Sequence, residues 1–239
     1  MSNRVRDQIP VGVIAPFDFA LDRELWRWVP DDVTLLLTRT AYVDEPVSVE
    51  LAQAVSDTDD VGRATRELIA VAPRCVAYAC TSGSFVDGVA GEQRLVAAMR
   101  ASGAPQAVTT SGALLAALSV LDISRVAVAT PYVEALTSRL SDFLAEAGVE
   151  TVGSAGLGLQ SEIWKVPYDV TAKLVADSDS PAAEAIFVSC TNLPTYDLIA
   201  TLETELGKPV LTANQVTMWS ALRHSGVSAR GVSQSLIAI

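Results

Sequence analysis

The chain has 239 residues, of which 50% are hydrophobic, 19% charged and 6% aromatic, and its formal net charge is −11 with a single histidine. That composition excludes a disordered chain, and it excludes a nucleic-acid partner because no cationic stripe is available to displace counterions from phosphates. No apolar run approaches the roughly 18 residues of a membrane-spanning helix, so no membrane partner is expected. Met1-Ser-Asn-Arg-Val-Arg-Asp-Gln8 carries charge with no apolar segment behind it, which argues against a secretory signal and for a cytoplasmic protein. Three cysteines without a CxxC pair, beside one histidine, provide neither a disulfide framework nor a recognisable metal site.

Short β-branched runs alternate with longer amphipathic segments, which predicts an α/β fold with mainly parallel sheet. In chain order the predicted elements are a strand over 11–15, a helix over 22–28, a strand over 33–37, and helices from 48 and over 60–71. A strand over 75–79, a helix over 88–102, a strand at 107–108 and a helix over 111–121 follow. The second half reads strand 125–129, helix 132–147, strand 150–152, helix 167–176, strand 185–188, helix 195–206, strand 210–212 and helix 217–224. Strands without alternation suggest burial on both faces beneath covering helices.

The chain also repeats itself. Val11-Gly-Val-Ile-Ala-Pro16-Phe17 matches Val126-Ala-Val-Ala-Thr-Pro131-Tyr132, and Val76-Ala-Tyr-Ala-Cys80-Thr81-Ser82 matches Ile186-Phe-Val-Ser-Cys190-Thr191-Asn192. The stretch from Gly103-Ala-Pro105 matches that from Gly207-Lys-Pro209. A period near half the length predicts two similar α/β lobes related by pseudo-twofold symmetry. We expect the first lobe over 1–115 plus 215–239, the second over 116–214, and a cleft between them.

Each lobe has a strand ending in Cys-Thr-Ser/Asn. Side chains at the carboxyl ends of parallel strands face the crevice where open α/β sheets bind ligands. Cys80 and Cys190 are therefore expected to approach one cleft from opposite sides, as an acid and a base or as a nucleophile and an acid. A helix N-terminus behind each thiol is expected to lower its pKa. Thr81, Ser82, Thr191 and Asn192 would offer neutral donors to a small carboxylate, and Pro16 and Tyr132 lie at the matching strand ends. Cys75, inside a strand and without a counterpart, reads as filler. Tyr132 could equally cap the core, Asp18 and Asp22 could line the cleft or cap a helix, and His224 suits a helix C-terminus. Trp26, Trp28 and Trp219 are expected between lobes or subunits. Gly153-Ser-Ala-Gly156-Leu-Gly158 is not a nucleotide-binding fingerprint, and no GxSxG elbow is present.

In Tyr78-Ala-Cys80-Thr81-Ser82-Gly-Ser-Phe85, Ala129-Thr-Pro-Tyr132-Val and Val188-Ser-Cys190-Thr191-Asn192-Leu-Pro-Thr-Tyr-Asp197 the chain resembles the Asp/Glu racemase superfamily. Within it, the similarity is to the maleate cis-trans isomerase and arylmalonate decarboxylase branch. The resemblance implies two pseudo-symmetric lobes, no cofactor or metal, one catalytic residue from each lobe, and a homo-oligomer. Arylmalonate decarboxylases carry glycine where Cys80 stands, which disfavours that reaction here. The implied chemistry is addition of the Cys80 thiolate to a C=C bond, rotation and elimination, with Cys190 handling the proton and Tyr132 bonding a substrate carboxylate. A racemase using the two thiols as an acid/base pair is the alternative, and a non-catalytic carboxylate-binding protein a further one. The chain departs from the isomerase pattern at Pro16-Phe17-Asp18-Phe19 and near Leu159-Gln160-Ser161-Glu162, where Asp18 or Glu162 would repel a dicarboxylate.

Overall fold

The computed structural model describes residues 8–239; the stretch read as non-secretory lies, but for Gln8, outside the described residues. Strands β1 (Ile9–Ala15), β2 (Val33–Arg39), β3 (Cys75–Tyr78) and β4 (Ala107–Thr109) form one parallel sheet in the order β2-β1-β3-β4. Strands β5 (Arg125–Thr130), β6 (Glu150–Gly156), β7 (Ala185–Val188) and β8 (Val210–Thr212) form a second in the equivalent order β6-β5-β7-β8. The repeat in the sequence is thus a repeat of topology. β3 and β7 are buried along their whole length, as expected of strands covered on both faces.

Ten α-helices connect the described strands: α1 (Asp22–Leu25), α2 (Val49–Val55), α3 (Thr58–Ile69), α4 (Thr81–Phe85), α5 (Gly88–Ala101), α6 (Thr110–Val120), α7 (Glu134–Glu146), α8 (Tyr168–Ser178), α9 (Ile199–Leu206) and α10 (Ala213–His224). Local chemistry sets several starts. Ser48 caps α2, Asp57 accepts from the Asp59 and Asp60 N–H groups at the head of α3, and Thr212 with Gln215 forms a reciprocal capping box on α10. Three expected helices differ at their ends. The segment expected as one helix over 22–28 breaks into α1 and a 3-10 turn at Trp26–Trp28, and that over 195–206 opens on a 3-10 turn at Tyr196–Leu198. The last helix starts four residues earlier than its expected Thr217, because the capping box lies upstream of the apolar pattern.

The two halves are interlocked. Leu114, Ala117 and Leu118 of α6 pack into the core around β5 and β7, whereas Met218, Ala221 and Leu222 of α10 pack into the core around β1 and β3. The two helices also meet directly, with the Thr110 and Thr217 hydroxyls 2.7 Å apart. Each helix following the last strand of a half thus contributes its apolar face to the other half's core, which holds the two strand edges in fixed register.

Trp28 packs between the halves, as one of the two expected placements had it: it is fully buried, its ring centroid lies 4.7 Å from that of Tyr196, and its indole N–H donates to Gln234 Oε1 at 2.9 Å, so it presents no surface to a subunit; Trp26 is the half-exposed one. The apolar bulk of Trp28 is worth more in the core once its polar N–H is satisfied there. Trp219 is buried beside the Arg223 guanidinium. Among the described residues no helix is long and apolar enough to cross a membrane.

Candidate active site

Cys80 follows β3 by two residues and Cys190 follows β7 by two. Each therefore leaves the carboxyl end of the strand next to the first strand of its sheet, where backbone direction changes and side chains turn out of the sheet plane. Cys80 caps α4 with extended backbone (φ −134). Cys190 instead sits at φ +87, in the left-handed region, one of few non-glycine residues so placed. A β-carbon there costs on the order of 1–3 kcal/mol, so the surrounding contacts force this thiol into its position. Cys190→Gly is accordingly expected to melt higher than Cys190→Ala by a few degrees, a comparison that differential scanning calorimetry reads directly.

Both cysteines line one cavity, together with Pro16, Thr81, Ser82, Tyr132, Thr191 and Asn192. The space is narrow and amounts to ≈ 480 Å³ counted to its open mouth. It therefore suits a molecule of a few heavy atoms. Thr81 is buried at the cavity wall, and its hydroxyl has no partner within the protein. A buried polar atom left unpaired costs stability unless something outside the chain completes it.

Much of the opposite wall was not anticipated from the sequence. Leu51, Ala52 and Val55 of α2, with Val47 and with Ile163 of a 3-10 turn, give it an apolar side. Their spacing on α2 is that of any core-facing helix, and nothing local says that the core surface opposite is missing. The Val47 N–H donates to Gln160 O at 2.8 Å and so ties the two segments together over the site. Of the two acidic residues expected near the cavity, Asp18 lines it, while Glu162 is turned outward in an ion pair with Lys165.

The thiols are held in the neutral form. Burial pushes Cys190 up to about 12, and burial raises Cys80 as well. The expected lowering by a helix dipole does not prevail, because α4 has only five residues and its contribution at Cys80 reduces to the Gly83 N–H, outweighed by desolvation. Cys190 gains partial compensation from the Asn192 N–H and the Tyr132 hydroxyl. The Tyr132 oxygen lies 3.5 Å from the Ser189 hydroxyl, which donates to it and leaves the phenolic proton free to face the sulfur. Tyr78 lies against Cys80, yet its one proton goes to Val55 O at 2.6 Å, so it can support a thiolate only by turning away from that carbonyl. Cys75 is wholly buried in β3, is pushed to about 12 by burial alone, and does not reach the cavity.

Gly83 makes this crowding possible. A Cβ there would lie 2.3 Å from the Tyr78 hydroxyl and 3.1 Å from Cys80 Sγ. Gly83→Ala is therefore expected to cost about 1–3 kcal/mol in stability and to displace Cys80. Chemical denaturation and turnover, measured side by side, should both fall.

Outside the cavity a buried carboxylate braces the Cys190 loop. Glu24 accepts from the Thr195 N–H (3.1 Å), the Thr195 hydroxyl (2.9 Å) and the Asn214 side-chain amide (3.1 Å). That same amide donates to Thr191 O at 2.9 Å, next to the thiol. The Asn192 side chain is spoken for too: it donates to Asp18 O at 3.0 Å and accepts from the Ala20 N–H at 2.9 Å, so it bridges the two halves. Apart from the Asn214–Thr191 bond, these contacts join partners more than 170 residues apart, and none of them is legible in sequence. His224 stays at the end of α10, its Nδ1 2.9 Å from Ser220 O, away from the cavity.

Two parallel four-stranded sheets, with a cysteine at the end of a central strand in each and one small cavity shared by both, define a two-lobed α/β protein of paired-thiol type. The chain belongs to the arylmalonate decarboxylase family, whose model matches residues 47–237. It is 36% identical to the arylmalonate decarboxylase of Bordetella bronchiseptica over 155 residues, which span 63% of this chain and 64% of that protein, just short of two thirds of its length. It is 31% identical to a maleate isomerase of Nocardia farcinica over 169 residues, 67% of each chain. In three dimensions it is similar to a liganded double mutant of arylmalonate decarboxylase, with a TM-score of 0.85 and 28% identity over 95% of this chain and 97% of that one.

Proposed function

We propose that this protein is a cofactor-independent isomerase of a small carboxylic acid, with lobes over 1–115 plus 215–239 and over 116–214 closing on its substrate. The observation that supports it is the pair of sulfurs lining one small cavity from opposite halves. In this mechanism Cys80 reacts as the thiolate, adding to one carbon of a cis C=C bond while Cys190 gives its proton to the other carbon. The former double bond is now single and rotates. The Cys190 thiolate then takes a proton from the carbon it protonated, the C–S bond breaks, and the trans alkene leaves with Cys80 again a thiolate and Cys190 again a thiol. Cys190, pushed to about 12, suits the proton-holding role. Asp18 opposes charge on both sulfurs, so the reactive Cys80 thiolate is a minor form, made when the Cys80 proton passes to solvent before substrate fills the cavity. The unpartnered Thr81 hydroxyl supplies a hydrogen bond to a substrate oxygen, with Ser82, Thr191 and Pro16 around it.

Cofactor-free decarboxylation, the reaction named for the Bordetella relative, is less well matched, because that enzyme's pattern has glycine where Cys80 stands. Racemisation is a second reading, favoured by two thiols that line one cavity from opposite halves. Incubation with cis-butenedioic acid and with its monoamide, followed by proton NMR for the trans olefin line, tests the isomerase. A racemase would instead incorporate solvent deuterium at the α-carbon of a chiral acid. A binding protein would show neither, and would keep its ligand affinity when both thiols are replaced by alanine.

A further inference from the structure

Among the described residues that line the cavity, Asp18 is the one that bears a carboxyl group, and no lysine, arginine or histidine is among them; burial raises its pKa, against the pull of the Asn192 side chain and the Arg39 guanidinium. It lines the same cavity as Cys80 and Cys190, and its charge opposes that of either thiolate. Its loop is fixed from three directions. The Phe17 N–H donates to Thr40 Oγ1 at 3.1 Å, and the Arg39 guanidinium donates to Pro16 O at 3.3 Å and Phe19 O at 2.7 Å. The Asn192 amide holds Asp18 O and the Ala20 N–H from the other half. Arg39 also pairs with Asp22, and it stands behind the loop, outside the cavity lining. The backbone that carries Asp18 is thus held in place at the rim of the cavity.

A substrate in this cavity meets an unpartnered hydroxyl at Thr81, an apolar wall from α2, and one carboxyl group. Nothing in the lining offers a cation to a second substrate carboxylate. We infer that Asp18 is a specificity-determining residue that selects a substrate with one carboxylate and, at its other end, a neutral or cationic N–H group such as an amide, over a dicarboxylate. The choice of a cis alkene as test compound rests on the isomerase proposal above; the charge preference does not. With two carboxylates about 5 Å apart at an effective dielectric near 20, the dicarboxylate is disfavoured on the order of 10²-fold. An amide N–H donating to the same carboxylate makes a charge-assisted hydrogen bond instead.

The test compares maleate with maleamate, its monoamide of nearly equal shape, on wild type and on Asp18→Asn. The expected result is a kcat/KM for maleamate on the order of 10² above that for maleate in wild type. In Asp18→Asn the ratio should shrink to within about tenfold, through a gain on maleate. Equal handling of the two by wild type, or a ratio that does not move in the variant, overturns the inference. A second measurement separates it from the isomerase proposal: thermal midpoints of wild type with the unreactive analogues succinamate and succinate. If neither alkene turns over but succinamate stabilises at a far lower concentration than succinate, the charge preference stands and the isomerase proposal falls. Equal shifts from both analogues, or none from either, overturn the preference itself.

Discussion

Replacing Cys190 by alanine is expected to lower turnover by about 10²–10⁴-fold, the usual worth of a positioned proton donor, while the protein stays folded. Replacing Cys80 is expected to remove turnover altogether, because Cys190, the one other thiol lining the cavity among the described residues, serves as the proton donor. The two losses should be far from additive, since either thiol alone leaves half of an addition and elimination undone. Cys75→Ala serves as the control: it deletes a thiol of equal burial outside the cavity, so it should change stability and not the ratio of trans to cis product. The readout is the trans olefin proton signal against time for each variant. Full activity in Cys80→Ala would rule out covalent addition by that sulfur.

The second large effect is on stability. Glu24→Ala removes the acceptor of three buried donors, leaving the Thr195 N–H and hydroxyl without a partner and the Asn214 amide with only Thr191 O. That is expected to cost about 3 kcal/mol, or roughly 6–12 °C in thermal midpoint for a chain of this size. Glu24→Gln keeps an acceptor and should lose less. Burial raises the Glu24 pKa above its ordinary value, against the pull of its donors. The folded state therefore holds this proton more tightly than the unfolded one. The resulting contribution to stability is complete below the unfolded pKa and is lost as pH rises through the folded one. Wild type should accordingly gain stability relative to Glu24→Gln as pH is lowered across that window, and denaturant titrations at a series of pH values would show it. Because the Asn214 amide also holds Thr191 O, Glu24→Ala should loosen the Cys190 loop and lower turnover together with stability.

Sequence and structure agree most closely where the physics is local. The strand ends that carry Cys80 and Cys190 were legible because β-branched runs buried on both faces stop abruptly at a small polar triplet, twice in the same order. The helix start at Ser48 was legible as well, whereas the helices capped by Asp57 and Thr212 were expected to begin only at 60 and 217. The breaks at Trp26–Trp28 and Tyr196–Leu198 were not legible, because those segments bend to satisfy partners elsewhere, Gln234 for Trp28 and Glu24 for Thr195. The state of the thiols was misjudged for a related reason. A dipole can be read from a helix start, but desolvation depends on what covers the sulfur.

The amino-acid order by itself determined a duplicated α/β chain with one cysteine at an equivalent strand end in each half, since strand burial, caps and internal repetition are all encoded within short stretches. Only the tertiary structure decided that Glu162 turns away while Asp18 lines the cavity with both cysteines. It also decided that the apolar face of α2 roofs a cavity, and that the thiol of Cys190 is forced into a left-handed backbone. Each of these depends on desolvation or on contacts between residues far apart in the chain, and no local pattern carries that information.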